Sequence, residues 1–387
     1  MKMQESEINE AFRTEVREWM GRHLRGKFAP LKHASGLGAE GYDAELAKEW
    51  EQELARGGWT GLGWETQYGG RNLPLAQQVI FHEEYVRCGG PGRIGHIGET
   101  LLAPTLMAFG TPEQKQRFLP GILAGKDYWA QGYSEPGAGS DLAAIRTKAQ
   151  RDPATGEWVI NGQKVWTSWA HESEWIFVLA RTEEGSSRHT GLTLLLVPLN
   201  QPGVEVRPIR QITGTSEFNE VFLDGARTEG ALHLGPVGDG WKVAMYLLGC
   251  ERGASTLGQQ AHFRYELDLI IALARRNGAA RDPLLRQRLA KADMGLQTLR
   301  AHALRASSEN TPMRVASVSK YAWSNWHRDL GELAMDVLGE QGELLMTDAA
   351  LRPLQQLWLV SRADTIYAGT NEIQMNLMAE RALGMPR

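Results

Sequence analysis

Residues 131–141 read QGYSEPGAGSD. This stretch combines hydroxyls, carboxylates and glycines. Glycine lets backbone N–H groups approach a ligand closely, and a Ser hydroxyl can both donate and accept a hydrogen bond. The stretch therefore indicates either a loop that wraps a polar cofactor at the edge of a β domain or an ordinary turn.

Helical spacing of apolar residues is found on both sides of this loop. In residues 1–127 it runs through Phe12, Val16 and Trp19 and predicts an N-terminal helical domain, in which Thr111-Pro112 marks a helix start. It returns in residues 237–387, where Asp282-Pro283 marks a helix start. The two ends of the chain are therefore predicted to be helical.

The middle zone, residues 128–236, has the period of two that is typical of strands. Asn161-Gly162 between alternating residues predicts a hairpin. Further strands are predicted at 174–182, 192–199 and 219–224, which indicates a small barrel or sandwich. The predicted fold class is α+β, mainly α, with helices, strands and helices in that order.

Composition and charge exclude several classes of function. The formal net charge is -4, with 42 Lys and Arg against 46 Asp and Glu, and lacks the basic footprint of a nucleic-acid-binding protein. Cys88 and Cys250 form no paired motif, which indicates a reducing compartment. The charged start is no signal peptide and no apolar run reaches membrane-spanning length, so we expect a soluble, cytoplasmic chain without membrane insertion.

Other possible sites find little support in the sequence. Residues 36–41 (GLGAEG) match the dinucleotide fingerprint, but no strand leads into them, so we interpret them as a surface loop. The ten His residues show no pair at metal-ligand spacing, and we expect no metal. No Ser lies in a nucleophile elbow, so covalent catalysis is not predicted.

Trp166-Thr167-Ser168 closes a predicted strand with an aromatic residue followed by two hydroxyls. Such an indole can pack on a flavin ring while Ser168 faces the N5 edge of the ring. A lone Trp at this place is otherwise more often a core residue. Both interpretations stay open on this segment alone.

Three segments together resemble the signatures of the acyl-CoA dehydrogenase family. They are YSEPGAGSDL at 133–142, NGQKVWTS at 161–168 and IYAGTNEIQ at 366–374, and FGTPEQKQRFLPGILAG at 109–125 also looks like the family. The resemblance covers essentially the whole chain. It implies a helical N-terminal domain, a small β domain, a C-terminal four-helix bundle, a bound FAD and usually a tetramer.

The resemblance also assigns roles to individual residues. Ser134 and Ser140 match residues that touch flavin and thioester, and Trp166 and Ser168 match those that pack on the ring and bond its N5. Thr370 and Glu372 match positions near the ribityl and phosphate groups. The residues assigned to the cofactor are Gln131, Tyr133, Ser134, Gly139, Ser140, Trp166, Thr167, Ser168, Gly339, Thr370 and Glu372.

The adenine half of FAD is where the sequence departs from the family pattern. In the family, a neighbouring subunit usually contributes there through a segment resembling residues 336–340 (DVLGE), but Asp336 and Glu340 differ from the common residues. The Arg motif on the adenine side is also altered at 275–279 (RRNGA), so no residue there is assigned.

The reaction that the family performs needs a carboxylate that removes the α proton while the β hydrogen leaves as a hydride to flavin N5. Many members carry this Glu directly before the Gly-Thr of the third signature, where this chain has Ala368. Isovaleryl-CoA dehydrogenase and its relatives carry it on another helix directly before an Arg, as in Glu251-Arg252 here. We predict Glu251 as the base, against the alternative of a surface ion pair. Arg252 is then expected to orient Glu251 and bind substrate, and Ala368 to offer its N–H to the thioester oxygen.

The expected function is α,β-dehydrogenation of an acyl-CoA thioester, with electrons passing to an electron-transferring flavoprotein. Alternatives are an acyl-CoA or nitroalkane oxidase on the same scaffold, or a non-catalytic partner subunit of a mixed tetramer. The small residues Gly90, Gly92, Gly95 and Gly98 are interpreted as a roomy pocket for branched or bulky acyl groups. A homotetramer or a dimer is the expected assembly otherwise.

Overall fold

The structure is a computed structural model that describes residues 7–34, 38, 42–250, 255–306, 317–344, 348 and 351–386. Helices come first, a single sheet follows and helices return, so the predicted fold class is confirmed. Strands replace helices between Leu123 and Trp129, and helices resume at Gly240. The domain limits at 127/128 and 236/237 stay predictions. Within the described ranges, no helix is both long enough and apolar enough to cross a membrane.

The N-terminal helices pack around large aromatic side chains. Trp50, Trp59 and Phe81 are almost completely buried there. The last helix of the group begins with a capping box between Thr111 and Gln114, which confirms the helix start predicted at Thr111-Pro112. The helices are α1 Glu7–His23, α2 Ala44–Arg56, α3 Leu75–Arg87, α4 Ala103–Phe109 and α5 Pro112–Leu123, and a π-helical turn, Gly98–Leu102, leads into α4.

The middle zone forms one eight-stranded sheet. Its strands are β1 Trp129–Gly132, β2 Lys148–Arg151, β3 Trp158–Ser168, β4 Trp175–Arg181, β5 Leu192–Pro198, β6 Val204–Ile209, β7 Phe218–Thr228 and β8 His233–Leu234. They pair in the order β6-β7-β3-β2-β4-β5-β8, and β1 adds to β4 in parallel. The sheet bends over its own core. This is shown by the hydroxyl of Thr228 on β7, which donates at 2.6 Å to Leu196 C=O on β5, a strand that is not its neighbour in the sheet. It stays an open barrel whose edges are β6 and β8.

The hairpin predicted at Asn161-Gly162 is wrong. Both residues lie inside β3, which runs unbroken from Trp158 to Ser168. Asn161 instead sits at an irregularity in the β3–β7 pairing, where its side chain accepts from Gly225 N–H at 2.8 Å. Gly162 is required by close packing, since a Cβ there would lie 2.3 Å from Thr147 Oγ1.

The C-terminal helices share one core, as the resemblance implied. Four of them, α7 Ser255–Asn277, α8 Pro283–Ala306, α9 Ser319–Leu338 and α10 Arg352–Asp364, contribute to a single apolar cluster. The predicted start of α8 is confirmed, because Asp282 Oδ1 accepts from Leu284 N–H at 2.7 Å and caps the helix. The other two α-helices in the described part of this zone are α6 Gly240–Cys250 and α11 Asn371–Leu377.

A buried ion pair fastens the first signature segment to the sheet. The Lys164 side chain has no exposed surface, and its ammonium donates to Glu135 Oε1 at 2.8 Å, Leu179 C=O at 2.8 Å and Tyr133 C=O at 3.1 Å. All three of its protons are thereby used.

Burial lowers the pKa of Lys164 to about 8 against the opposing effect of Glu135. Glu135 also accepts from the backbone N–H groups of Arg146 and Thr147. The pair thus joins the loop after β1 to β3, β4 and the start of β2.

Replacing Lys164 by Met should destabilise the fold by about 3–5 kcal/mol, because the buried Glu135 carboxylate then lacks its counter-charge. The double variant Lys164→Met/Glu135→Gln should regain part of that loss, since no charge stays buried. Denaturant unfolding measures both. Lys148→Met on the neighbouring strand, where the side chain is exposed, is the matched control. Equal destabilisation of the single and double variants would exclude the unpaired charge as the cause.

Candidate functional site

The indole of Trp166 is presented to solvent by a β-bulge. Lys164 faces Val221 and Thr167 faces Asn219 in the β3–β7 pairing, so two residues of β3 lie opposite one residue of β7. Trp166 adopts a left-handed φ of 58° in this bulge and is 58% exposed. Bulges of this kind re-aim a side chain. Trp166 is therefore no core residue, and the bulge turns its ring outward.

The two hydroxyl residues after Trp166 differ in exposure. Ser168 is half-buried, whereas Thr167 is completely buried and its carbonyl accepts from Asn219 Nδ2 at 2.9 Å. Within the described part of the chain, Thr167 Oγ1 has no hydrogen-bond partner. Of the two hydroxyls, only that of Ser168 is therefore open to a ligand beside the indole.

The first and second signature segments lie together. Val165 N–H donates to Ser134 C=O at 2.9 Å, directly before the bulge. Gln131 precedes this contact on β1 and is half-buried, and the buried Tyr133 ring packs edge-on against Phe177 at 5.8 Å. The structure thus brings Gln131, Tyr133 and Ser134 to the same end of β3 as Trp166.

The tip of the first signature loop is held at its base and open at its rim. Glu135 and Ala138 exchange backbone hydrogen bonds at 3.0 and 3.1 Å, and Glu135 is anchored by Lys164. Gly139 and Ser140 are exposed, and a Cβ at Gly139 would meet no atom within 4 Å. These two predicted ligand residues therefore lie on accessible backbone beyond a fixed turn.

Glu217 is a buried residue of this region that the sequence analysis missed. Its Oε1 accepts from Gly38 N–H at 2.8 Å and its Oε2 from Thr215 Oγ1 at 2.7 Å, while its carbonyl accepts from Trp169 N–H at 2.8 Å. Trp169 is also left-handed, with a φ of 54°. Glu217 thereby fixes the chain just beyond Ser168. A lone Glu before a strand offers no signal that would have identified it.

The third signature segment forms a left-handed turn between α10 and α11. Ala368 is exposed with a φ of 50°, and Gly369 follows with a φ of 84°. Thr370 caps α11 by accepting from Ile373 N–H at 3.2 Å. Glu372 is exposed, and backbone and Thr370 hydrogen bonds lower the pKa of its carboxyl. Ala368 carries a methyl group here, which cannot take up a proton.

Contacts between α10 and the β domain relate this turn to the other two signatures. Gln356 Nε2 on α10 donates to Thr213 C=O at 3.3 Å, and Gly38 packs between Thr213 and Val360. Gly339 lies elsewhere, exposed at the end of α9 with a φ of 60°. The structure therefore ties the third signature to the sheet indirectly and leaves Gly339 apart from these contacts.

The predicted base Glu251 and its neighbour Arg252 lie outside the described residues. Helix α6 ends at Cys250, directly before them, and α7 begins at Ser255. Gly258 on α7 packs against His82 of α3, where an added Cβ would lie 3.0 Å from His82 Cβ. The roles of Glu251 and Arg252 stay predictions.

Three of the glycines that were interpreted as a roomy pocket are tightly packed. An added Cβ would lie 2.4 Å from the Tyr85 ring at Gly90, 2.5 Å from Glu51 Oε2 at Gly95 and 3.2 Å from the Trp129 ring at Gly98. Close packing explains these glycines, and they do not support a pocket of large volume.

Comparisons with known proteins indicate the same family along the whole chain. Family models for the N-terminal, middle and C-terminal domains of acyl-CoA dehydrogenases match residues 6–126, 130–226 and 238–383. The acyl-CoA dehydrogenase IpdE1 of Mycobacterium tuberculosis is 55% identical over 381 residues, which cover 98% of each chain.

Two solved structures with 28% identity also superpose on this chain over the full length of both. One is the Tcur3481-Tcur3483 steroid ACAD, with a TM-score of 0.88. The other is the ChsE4-ChsE5 complex from Mycobacterium tuberculosis, with a TM-score of 0.85. Sequence and structure therefore lead to one conclusion: the chain belongs to the acyl-CoA dehydrogenase family and is an acyl-CoA dehydrogenase.

Proposed function

We propose that the chain oxidises the acyl group of a coenzyme A thioester between its α and β carbons, with FAD as cofactor and Glu251 as base. The observation that carries the proposal is the bulge that presents the Trp166 ring beside Ser168 and Ser134. An exposed indole on a strained backbone is costly without a ligand to cover it. These residues fit a flat, polar-edged ring. FAD, when bound, supplies the acceptor for the hydride that leaves the β carbon.

The choice of base rests on the carboxylates around the third signature. Ala368 has none, and Asp364 is only 2% exposed and is engaged by His327 and Tyr367. Glu372 has a lowered pKa, which makes it a weaker base. Glu251 follows α6 directly and is the carboxylate that the sequence pattern favours. Its task is to remove the α proton while the Ala368 N–H stabilises the charge that develops on the thioester oxygen.

The names of the two structural relatives refine the proposal. One is named a steroid enzyme, and both name two different chains. We therefore propose a bulky, polycyclic acyl-CoA as substrate and a second acyl-CoA dehydrogenase chain as partner in a mixed tetramer. Exposed apolar side chains support such an assembly, including Ile212, Leu344 and Ile366, which are each more than 60% exposed. Electrons would pass from the reduced enzyme to an electron-transferring flavoprotein.

Glu251→Gln should lower the rate of anaerobic flavin bleaching by acyl-CoA at least about a hundredfold, because the amide cannot take the α proton. The flavin content should not change. The assay compares straight-chain, branched and polycyclic thioesters, with the chain purified alone and after co-expression with a second dehydrogenase chain. Glu229→Gln, which alters an exposed pair with Arg117, is the control. Full activity of Glu251→Gln would exclude this base, and a colourless chain in both preparations would argue against FAD binding.

Trp166→Ala should weaken FAD binding by roughly 1 kcal/mol, or about fivefold in Kd, because the ring contact is lost. Fluorescence titration of the apoprotein with FAD measures the change. Arg207→Ala removes an exposed side chain of the same domain that pairs with Glu205 on β6, and it should leave the affinity unchanged. Equal affinities for Trp166→Ala and the unchanged chain would show that the indole does not cover the flavin.

A further inference from the structure

A hydrogen-bonded network of buried polar side chains lies beneath the third signature. His327 on α9 places Nδ1 2.5 Å from Asp364 Oδ2 and Nε2 2.8 Å from Glu266 Oε2. Asp364 Oδ1 accepts from the Tyr367 hydroxyl at 2.8 Å. His327, Asp364 and Glu266 are buried or nearly so. The network therefore connects α7, α9 and α10 to the turn that holds Ala368.

His327 is a cation in this arrangement. Each of its two ring nitrogens faces a carboxylate oxygen, and a carboxylate can only accept, so both nitrogens must donate. Burial alone would lower the pKa of His327, but Glu266 and Asp364 outweigh it and raise the pKa to about 10. Two further charged or titratable groups contact this network: His262 lies 3.2 Å from Glu266, and Lys320 donates to Asp364 C=O.

One face of α9 carries the anchors of the turn. Lys320, Ser324 and His327 recur at the spacing of four and three residues that places side chains on the same side of a helix. Lys320 and His327 hold Asp364 before the turn, and Ser324 Oγ donates to Asn371 Oδ1 at 2.9 Å after it. The turn is thus gripped at both ends by a single helix.

The turn needs such support because its backbone is unfavourable. Ala368 has a Cβ and a φ of 50°, a left-handed conformation in which the Cβ of a non-glycine residue lies too close to the backbone. Strained residues of this kind persist only where the surrounding structure over-determines them. Between the two anchors, Gln374 Nε2 donates to Ala368 C=O at 3.3 Å. Among the described residues, the N–H of Ala368 donates no backbone hydrogen bond, so it can be offered to a ligand.

We propose that His327 is a positioning residue: as an imidazolium between Glu266 and Asp364, it holds Tyr367 and thereby the left-handed turn at Ala368. This inference rests on the proposed function only for its effect on catalysis. Its effect on the backbone of the turn is independent of any substrate. His327 touches no reacting atom and acts through Asp364.

Amide hydrogen exchange tests the positioning directly. In His327→Gln and in Tyr367→Phe, the hydrogen-bonded amides of the turn, which are those of Ile366, Tyr367 and Asn371, should exchange at least about tenfold faster, because the turn opens more often. Tyr367→Phe removes one hydroxyl and keeps the ring, so it serves if His327→Gln does not fold. His23→Gln breaks a similar His–Glu pair at 2.7 Å on α1 and should leave these amides unchanged. Unchanged exchange of the Ile366, Tyr367 and Asn371 amides in Tyr367→Phe would overturn the inference.

Steady-state kinetics of the flavin-loaded enzyme separate positioning from simple loss of fold. In both variants kcat should fall by about ten- to a hundredfold while KM changes little, because a misplaced N–H fails mainly in the transition state. Unchanged kcat in variants that exchange faster would overturn the link to catalysis and keep the link to the turn. If Glu251→Gln is fully active while the exchange effect is present, the proposed base fails and the positioning stands.

The charge of His327 also predicts a pH dependence of stability. Its pKa is raised in the folded chain from 6.5 to about 10, so its stabilising contribution is complete below about pH 6.5 and is lost as the pH rises through about 10. The difference in thermal midpoint between the unchanged chain and His327→Gln should therefore shrink steadily over that interval. A difference that stays constant from pH 6 to 10 would mean that His327 is not a buried cation, and would overturn the inference.

Discussion

The site depends on the burial of one ammonium group. A lysine removed from water is tolerated only when its charge and its three protons are matched, and Lys164 is matched by a carboxylate and a carbonyl of the first signature loop and by a carbonyl of β4. The bulge that exposes Trp166 begins directly after this residue. Because the ammonium pulls the first signature loop onto β3, the loop and the bulge have a fixed relative position. The surfaces offered to a cofactor follow from that constraint.

Local patterns in the sequence predicted the architecture well and the side-chain networks poorly. Helix periodicity, the Thr111 cap and the three strands predicted from alternation all correspond to observed elements, since each depends on neighbouring residues. The hairpin predicted at Asn161-Gly162 was wrong because contacts with Thr147 and Gly225, which are distant in sequence, hold this turn-forming dipeptide in a strand. Long-range contacts of this kind leave no local pattern.

The same limit applies to the candidate site. Trp166, Ser168 and Ala368 were found because they lie in recognisable segments, and the resemblance carried most of that information. Lys164 lies inside a quoted segment, yet nothing in it marks the residue as buried. His327 lies outside all three signatures. Its partners Glu266 and Asp364 are 61 and 37 residues away, so only the packing of three helices reveals their proximity.

The first signature loop separates two demands that often compete, namely a stable fold and the freedom to change the residues that contact a ligand. Its base is fixed by Glu135, where a change disturbs the buried pair, while Gly139 and Ser140 project from it without packing constraints. Residues of the rim can therefore change identity at little cost to folding. A family that uses this loop can diversify the ligands it recognises through a few exposed positions, and each variant inherits a scaffold that is already stable. Evolution of specificity in such a chain is decoupled from evolution of the fold.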